Sequence, residues 1–396
     1  MPTNTASETI LRRTLRPMII GFDAKRAFHN RTGLGNYCRT LITALSTYYP
    51  NHQYLLYNPK AGNGFQINHR NMQEIKPQRM LDKLWPSLWR TTTQVKDIRG
   101  KVDIFHGLSN ELPLGIRKAA VKKLVSIHDI IFEDYPDQYG VFDVQGYRYK
   151  TKHACAAADH IVAISEATKT DLIHHYKIPA SKISVAYQSF DPRFFIQPET
   201  TSPQNLFQKY QLHKPYFISV GSLIERKNVL QTIEAMHILD KHCDADLVIV
   251  GKGGSYKKTI LEAIQKYRLQ PRVHFLEDHF PPQDIVADLP LLYHYAQALI
   301  YTSQKEGFGI PLLEAMAAET AVITSSVSSL AEVSGGAALC VNPNDNDELA
   351  AAMQQILSNS KERNLWIEKG KQRVTLFSPQ AAADAVMNVY LNLYMQ

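Results

Sequence analysis

The chain alternates short runs of β-branched and aromatic residues with longer helical stretches, and this order constrains the fold more than any other feature. Strands separated in this way by helices run parallel, because each helix returns the chain to the starting edge of the sheet. The predicted fold class is therefore α/β, with parallel sheets covered by helices. The predicted strands are MIIGFDA, DIFHG, KKLVSIHDI, HIVAIS and ISVAY in the first half, and YFISVGS, DLVIVGKG, RVHFLE, ALIYTS, TAVITSS and ALCVNP in the second.

The alternation is interrupted once, by the stretch DPRFFIQPETTSPQNLF around Pro192 to Pro203, which contains three prolines. Prolines without hydrophobic periodicity indicate a linker, and 396 residues are enough for two domains. We predict an N-terminal Rossmann-like domain over residues 17–195 and a C-terminal one over 205–377, facing each other across a central cleft. Ligands bind such sheets at the carboxyl ends of strands, so the site is expected in that cleft.

Composition favours an ordinary globular protein, with 44% hydrophobic and 20% charged residues. No apolar run approaches the ~18–20 residues of a membrane span, and the apolar part of LRRTLRPMIIGF is too short for a secretory signal. Residues up to about Arg16 are expected to form a flexible tail. The cysteines are far apart in sequence, so we expect free thiols in a reducing cytoplasm for Cys38, Cys155, Cys243 and Cys340.

Charge is distributed unevenly along the chain. The net charge is +7, and residues 1–200 contain 27 Lys and Arg against 17 Asp and Glu, whereas the remainder contains 17 against 20. A basic N-terminal half predicts an anionic partner there, either a phosphorylated acceptor or an acidic membrane surface that would make the protein peripheral at the inner face of the membrane. A solvated basic surface without a partner is the alternative.

The segment EGFGIPLLEAMAAETAVI, which starts at Glu306, has the features of a phosphate site between a strand and a helix. Pro311 suits the first turn of the predicted helix, since its missing N–H would have no partner there. Gly307 and Gly309 allow a sharp turn and a close approach to a ligand. At the positive end of the helix dipole, an anion is expected to bind the N–H groups of Gly309, Ile310 and Leu312.

Two carboxylates flank this turn. Glu314 lies about one helical turn further on and could bond the vicinal diol of a ribose, while Glu306 would face the opposite end of the same ligand. The alternative is an ordinary strand–turn–helix crossing with two solvated glutamates. A Gly-x-Gly-x-Pro turn alone does not decide between them, whereas the full string is far more specific.

That string, E-G-F-G-[IL]-P-x-x-E-A-M-A, resembles the donor site of retaining glycosyltransferases of the GT-B fold, family 4, and the similarity extends over nearly the whole chain. The resemblance implies two Rossmann-like domains and a C-terminal helix, residues 378–396, that packs back on the N-terminal domain. It also implies that Glu306 contacts the transferred sugar and Glu314 the ribose. The donor diphosphate would be held by the turn, at Phe308, Gly309 and Ile310.

Two segments of the N-terminal half resemble the same family. The glycine loop in FDAKRAFHNRTGLGNY is matched at Gly33 and Gly35, where Gly-Leu-Gly before an apolar helix lets the backbone approach a ligand. The His-Asp pair is matched in VSIHDIIF at His128 and Asp129, and in the family this histidine touches the transferred sugar. From these residues alone, a core histidine with a capping aspartate is the alternative. His106, at the end of DIFHG, is expected to line the acceptor pocket.

The loop SVGSLIERKN resembles the family loop that carries diphosphate-binding cations. Lys227 matches the family lysine. Ser222 stands where many members have an arginine, so Arg226 is expected to supply the second charge. A nucleoside diphosphate leaves as an anion, and a fixed Arg or Lys stabilises the developing charge. The alternative is an exposed basic loop.

The triplet Asp244-Ala245-Asp246 has the D-x-D form of a metal motif but directly precedes a buried strand, and no second acidic cluster accompanies it. We therefore expect no metal and no other cofactor, with the cations of the SVGSLIERKN loop acting at the phosphates.

These segments together predict a retaining glycosyltransferase whose catalytic residues are Glu306, His128 and Asp129. Its expected donor is a GDP- or UDP-linked sugar, and its acceptor a carbohydrate or lipid-linked hydroxyl. The N-terminal segments resemble bacterial enzymes of surface-polysaccharide assembly, many of which transfer mannose. The alternatives are a nucleotide-sugar epimerase on the same fold and a catalytically inactive nucleotide-sugar-binding protein. No motif supports nucleic-acid binding.

Overall fold

The structure, a computed structural model, describes residues 16–30, 32–195, 203–239 and 244–396. Residues 1–15 of the predicted N-terminal tail, residues 196–202 of the predicted linker and Cys243 lie outside these ranges. The described residues form two parallel sheets, each interleaved with helices, as the alternation of the sequence predicts.

The N-terminal domain contains a seven-stranded parallel sheet in the order β3-β2-β1-β4-β5-β6-β7. The strand order reverses between β1 and β4, and an open parallel sheet binds ligands at such a switch point. The carboxyl ends of β1, β4 and β5 therefore lie side by side. The strands are β1 (Ile19–Asp23), β2 (Gln53–Tyr57), β3 (Met72–Ile75), β4 (Ile104–Gly107), β5 (Lys122–Ile127), β6 (His160–Ala163) and β7 (Ile183–Val185).

Three long helices connect these strands: α1 (Gly33–Tyr48), α2 (Val141–Ala157) and α3 (Glu166–Tyr176). Shorter helices cover Lys25–His29, Met80–Leu84, Pro86–Leu88 and Gln94–Ile98, and a π-helical turn covers Trp89–Thr93. Single 3₁₀ turns occur at Ile116–Lys118, Ile131–Glu133, Pro136–Gln138, Ala180–Lys182 and Pro192–Phe194.

The C-terminal domain contains a six-stranded parallel sheet in the order β10-β9-β8-β11-β12-β13. Its strands are β8 (Tyr216–Val220), β9 (Asp246–Val250), β10 (Val273–Phe275), β11 (Ala298–Tyr301), β12 (Ala321–Ser325) and β13 (Leu339–Val341). Its longer helices are α4 (Pro203–Tyr210), α5 (Val229–Leu239), α6 (Ser255–Lys266), α7 (Pro282–His294), α8 (Ile310–Ala317), α9 (Ser328–Ser334), α10 (Asn346–Ser358) and α11 (Ser360–Val374). Short helical turns occur at Glu225–Lys227, Gln270–Arg272, Leu276–His279 and Thr375–Phe377.

The last helix, α12 (Pro379–Met395), crosses back to the N-terminal domain and packs against α1. Asp384 accepts a hydrogen bond from Tyr49, and the hydroxyl of Tyr390 lies 2.7 Å from Nδ1 of His106. Tyr390 and His106 are fully buried. One cluster of buried apolar residues extends from β1 and α1 through Phe190 and Phe194 into the C-terminal domain. The two domains therefore pack against each other through apolar side chains.

Every strand predicted from the sequence is present, but β2 and β3 were not predicted. β3 is a four-residue edge strand, MQEI, where polar residues are tolerated and the apolar signal is weak. Helices α3, α4, α9 and α11 were also missed, and the first five residues of α4, PQNLF, had been assigned to the linker. In α11, Gly370 and Val374 are the only buried residues, so it lacks the apolar stripe on which a prediction depends.

No helix in the described ranges combines the length and apolarity needed to cross a bilayer. The three described cysteines, Cys38, Cys155 and Cys340, are free thiols.

Candidate active site

The loop between β11 and α8, residues 302–309, is the centre of the candidate site, and we call it the donor loop. Gly309 has a φ of +112°, a conformation that residues with side chains rarely adopt. A Cβ at this position would also lie 2.5 Å from Leu330 Cδ2. Glycine is therefore required for the turn, and Pro311 follows in the first turn of α8, as the sequence predicts.

The start of α8 presents part of the predicted anion site. Within the described residues, the N–H groups of Gly309 and Ile310 have no hydrogen-bond partner, which leaves them able to bind an anion. The prediction for Leu312 was wrong. Its N–H donates to the carbonyl of Gly309 at 3.0 Å and is used in the helix's own first turn.

Glu306 lies in a buried charge cluster at the end of β11. Its Oε1 is 2.5 Å from Lys227 Nζ and 3.1 Å from Arg226 Nη1, and it accepts a hydrogen bond from the Tyr301 hydroxyl at 3.2 Å. Burial acts to raise the pKa of Glu306, but the two cations outweigh it, so the pKa is lowered and the carboxylate is ionised at neutral pH. The structure thus brings together three residues predicted from two distant segments, Arg226 and Lys227 from one and Glu306 from the other.

Two serines that the sequence analysis missed hold the donor loop. Ser328 and Ser329 donate from their hydroxyls to the carbonyl of Glu306 at 2.9 and 2.8 Å. Ser328 also has a positive φ of 59°, which is uncommon for a residue with a side chain. Strain of this kind is often found beside functional sites. The run SSVSSLAE directly after a predicted strand end was the available sequence signal.

Glu314 lies one turn into α8, in a less polar environment than that of Glu306. Burial raises its pKa to about 7, against the lowering effects of Arg193 and of a 3.3 Å hydrogen bond from Tyr293. The carboxyl group therefore changes charge near neutral pH, whereas Glu306 remains ionised.

His128 and Asp129 follow β5 on the opposite wall of the cleft. His128 Nε2 lies 2.8 Å from the carbonyl of Leu108, which can only accept, so Nε2 carries the proton and Nδ1 is left as an acceptor. Burial lowers the pKa of His128 to about 4, so the ring is neutral. Burial raises the pKa of Asp129, and the charge of Glu306 from the other domain adds to the rise.

The two walls touch at Gly307. A Cβ on Gly307 would lie 2.2 Å from the carbonyl oxygen of His128, so the backbone of the donor loop packs directly on the end of β5. Beside His128 and Asp129 opens a cavity of 310 Å³, with Arg26, Asn110 and Tyr147 in its lining. Its position and mixed polar and aromatic walls suit a sugar-like acceptor.

The predicted glycine loop has a different geometry from the one expected. Helix α1 begins at Gly33 itself, so both glycines lie in its first turn. A Cβ on Gly35 would lie 1.9 Å from the carbonyl of Asn30, and glycine there is required by the protein's own packing. Among the described residues, no atom lies within 4 Å of a Cβ added at Gly33. Only Gly33 therefore offers room for a ligand.

Two further expectations concern Ser222 and His106. Ser222 is exposed at the end of β8, next to Gly221, which lies against the stem of Lys227, and its donor role stays a prediction. The expectation that His106 lines the acceptor pocket was wrong. Its ring nitrogens are buried against Ser126 and Tyr390, where it connects β4 to α12.

The D-x-D triplet lies away from this site. Asp244 is exposed and paired with Lys214, and Asp246 pairs with His274. Asp246 is the first residue of β9, so it lies at the amino end of the parallel strands, whereas the donor loop follows their carboxyl ends.

Comparisons with known proteins agree with this geometry. A family model for "Glycosyl transferases group 1" matches residues 204–373, and one for "Glycosyltransferase Family 4" matches residues 31–194. The chain belongs to the group 1 glycosyltransferases of family 4. Among its relatives, the O-antigen chain mannosyltransferase B of Escherichia coli is 28% identical over 292 residues, which are 72% of this chain and 74% of that protein. The O-antigen chain mannosyltransferase RfbU of Salmonella typhimurium is 29% identical over 59% of this chain and 60% of its own length.

Solved structures confirm the GT-B architecture. A sucrose-phosphate synthase from Thermosynechococcus elongatus superposes with a TM-score of 0.74 over 96% of this glycosyltransferase and 99% of that chain, at 20% identity. HepE of Anabaena, solved with UDP and glucose, gives a TM-score of 0.70 over 95% of this chain and 99% of its own, at 17% identity. At these identities the likeness shows the fold.

Glu314 gives a stability prediction for the site. Because its pKa is raised from 4.5 to about 7 on folding, the folded state holds the proton between these values and loses stability as pH rises through them. Replacing Glu314 with Gln removes this dependence. Between pH 5 and pH 8, the free energy of unfolding of the wild type should fall by about 2 kcal/mol more than that of Glu314→Gln.

Urea unfolding at the two pH values measures this difference. The control Glu262→Gln changes an exposed glutamate on α6 and should follow the wild type. Equal pH dependence in Glu314→Gln and the wild type would show that Glu314 is not held in an apolar environment.

Proposed function

We propose that this glycosyltransferase transfers a sugar, mannose in the first instance, from a GDP- or UDP-linked donor to an acceptor hydroxyl, with retention of anomeric configuration. Its place would be in the assembly of a surface polysaccharide or glycolipid. The names of the two O-antigen mannosyltransferases support the sugar and the process, and the UDP in the HepE structure supports a nucleotide donor.

One observation carries the proposal. Two walls of one cleft bring together a helix start able to bind an anion, a buried pair of cations and polar groups suited to a sugar. Gly309 and Ile310 with Lys227 form the first wall, and His128 with Asp129 forms the second. Each group lies at the carboxyl end of a parallel strand or at the start of the helix that follows, where such folds bind ligands.

The donor diphosphate would lie at the start of α8. There the N–H groups of Gly309 and Ile310, the helix dipole and the charges of Arg226 and Lys227 stabilise the negative charge that develops as the nucleotide leaves. Lys227 is bound to Glu306 in the structure, so a diphosphate would compete with that carboxylate for the same ammonium group. With two protein cations in place, the chemistry does not call for a metal ion, and no other cofactor is expected.

The transfer itself would occur on one face of the sugar. The bond between the anomeric carbon and the phosphate oxygen breaks, the acceptor oxygen bonds to the same face, and the leaving phosphate oxygen takes the acceptor proton. Glu306 and the Nδ1 atom of neutral His128 would hold sugar hydroxyls, and Glu314 the ribose diol. The protein then acts mainly through positioning and charge stabilisation.

Glu306→Gln and Lys227→Met test this assignment. Each removes one fixed charge with little change in volume, and each should lower turnover by about 100-fold or more, because an organised charge at the reacting centre is lost. The assay follows release of GDP or UDP from nucleotide sugars with extracted cell-surface glycan as acceptor. Glu319→Gln and Lys371→Met alter an ion pair within the C-terminal domain and serve as controls.

Turnover of both site variants close to that of the controls, with unchanged melting temperatures, would refute the assignment. The alternatives give different results with the wild type. An epimerase would change the donor sugar without any acceptor, and an inactive binding protein would bind the nucleotide without releasing product.

A surface of the N-terminal domain supports the peripheral membrane contact predicted from its charge. Met80, Leu81, Leu84, Trp85 and Leu88 occupy one side of a kinked helical segment and are all exposed, Met80 by 77% and Trp85 by 64%. We call these five residues the apolar ridge. Single exposed apolar residues are common, but a contiguous group marks an interaction site.

The ridge is held outward by the polar side of the same segment. Asp82 pairs with Arg79 at 2.8 Å and accepts a hydrogen bond from Thr93 at 2.6 Å, while the buried Trp89 donates to Asp97 at 2.7 Å. Four exposed cations lie on this segment and on the neighbouring stretches 94–101 and 116–118: Lys83, Lys96, Lys101 and Arg117. None of the four forms an ion pair with another described residue. Apolar side chains flanked by unpaired cations suit an anionic lipid surface.

Sedimentation of the full chain with lipid vesicles tests the ridge. The wild type should bind phosphatidylcholine vesicles that contain phosphatidylglycerol and not those without it, and the double variant Leu81→Ser/Trp85→Ser should lose this binding because its apolar anchor is gone. The control Val286→Ser/Leu365→Ser removes two apolar side chains of the C-terminal domain that are each about half exposed. Unchanged binding in the ridge variant, or a dimer that the ridge variant abolishes, would contradict the membrane role.

A further inference from the structure

Lys305, the residue directly before Glu306, reaches across the cleft to the other domain. Its Nζ lies 2.5 Å from Asp134 Oδ2 and 2.8 Å from Asp171 Oδ2. Asp134 follows the 3₁₀ turn after β5, and Asp171 lies on α3, so both carboxylates belong to the N-terminal domain. We call these three residues the interdomain clamp.

The clamp is stronger than an ordinary surface ion pair. The Lys305 side chain is only 17% exposed, and one ammonium group serves two carboxylates. Burial acts to lower the pKa of Lys305, but Asp134 and Asp171 outweigh it and the pKa is raised. Breaking such a partly buried network by removal of one member leaves uncompensated charge, which costs more than an exposed pair. His175 Nε2 also lies 3.1 Å from Asp134, on the far side of that carboxylate.

The same residue is connected to the charge cluster of the donor loop. The guanidinium of Arg226 donates to the carbonyl of Lys305, and the N–H of Gln304 donates to the carbonyl of Arg226 at 2.9 Å. Arg226 in turn pairs with Glu306. A shift of the Lys305 backbone would therefore move both the Glu306 carboxylate and one of its cations.

Helix α3 also holds the donor loop on the other side of Glu306. The hydroxyl of Ser165, the N-cap of α3, donates to the carbonyl of Gly307 at 2.8 Å. The carboxylate of Glu332 from α9 accepts from the N–H groups of Glu166 and Ala167 at 2.8 and 3.2 Å, so the C-terminal domain caps this helix. Glu306 is thus flanked by two contacts to one element of the opposite domain.

From this geometry we infer that Lys305 is a positioning residue, whose pairing with Asp134 and Asp171 fixes the donor loop so that Glu306 faces His128 and Asp129. The clamp forms only when the two domains are together, and it joins domain closure to assembly of the site. The effect of Lys305 on turnover rests on the proposed function. The effect of Lys305 on the contact between the domains does not depend on that function.

Lys305→Met tests the clamp, with Lys305→Arg as the conservative variant and Lys371→Met as the control. Turnover by Lys305→Met should fall about 10- to 100-fold, because small misplacement of reacting groups is costly. The affinity for GDP or UDP should fall less than turnover does, because the proposed diphosphate contacts of Gly309, Ile310 and Lys227 all lie on the C-terminal domain, whereas turnover also needs the contact with His128 and Asp129. Lys305→Arg should recover most of the turnover, and Lys371→Met should match the wild type because its partners Glu319 and Glu368 lie within one domain.

Exchange of the charges gives the sharper comparison. Lys305→Asp and Asp171→Lys should each lower turnover, and the double variant should exceed both single variants. A merely structural contribution of Lys305 would lower the melting temperature without this pairwise recovery. Lys305→Met turnover equal to that of Lys371→Met, or a double variant no better than the singles, would overturn the inference.

Small-angle X-ray scattering separates this inference from the proposed function. With GDP or UDP present, Lys305→Met should have a larger radius of gyration than the wild type, whether or not transfer is detected. A wild type that transfers no sugar would count against the proposed function alone. An equal radius of gyration in the two proteins would count against the clamp. If Lys305→Met does not fold, Asp171→Asn replaces it in the turnover assay and in the scattering measurement.

Discussion

The buried contact between Glu306 and the cations Lys227 and Arg226 is the interaction on which the organisation of the cleft depends. A carboxylate removed from water is unfavourable unless opposite charges and hydrogen bonds accompany it. Here the carboxylate comes from the end of β11 and the cations from the loop after β8, two neighbouring strands of one sheet. The pairing keeps Glu306 ionised and places positive charge where an anionic leaving group would develop.

Close backbone approach is the second constraint, and it explains where the glycines are needed. Gly307 allows the donor loop to lie on the carbonyl of His128, and Gly309 allows the turn into α8. Neither position has room for a side chain. The segment between Glu306 and Pro311 is therefore shaped by contacts within the protein as much as by contact with a ligand. Gly35 is likewise required by a contact within the protein, since a Cβ there would collide with the carbonyl of Asn30.

The sequence predicted the two-domain α/β fold because alternating strands and helices leave few other arrangements. It predicted Glu306 from a long and specific string, and Lys227 and His128 from shorter segments that resemble the same family. It could not predict contacts that depend on the meeting of distant segments. His106 resembles a site residue in sequence but faces Tyr390 of α12, and Lys305 gains its partners only across the cleft. Edge strand β3 and polar helix α11 were missed because their apolar periodicity is weak.

The central claim is that a nucleotide sugar binds between the domains at the donor loop. A crystal structure of the protein with GDP or UDP tests it most directly. The account predicts a diphosphate beside the N–H groups of Gly309 and Ile310 and within reach of Lys227, with the ribose against Glu314. A nucleotide bound elsewhere on the protein, or a donor loop filled by the protein's own side chains in the presence of saturating nucleotide, would contradict it.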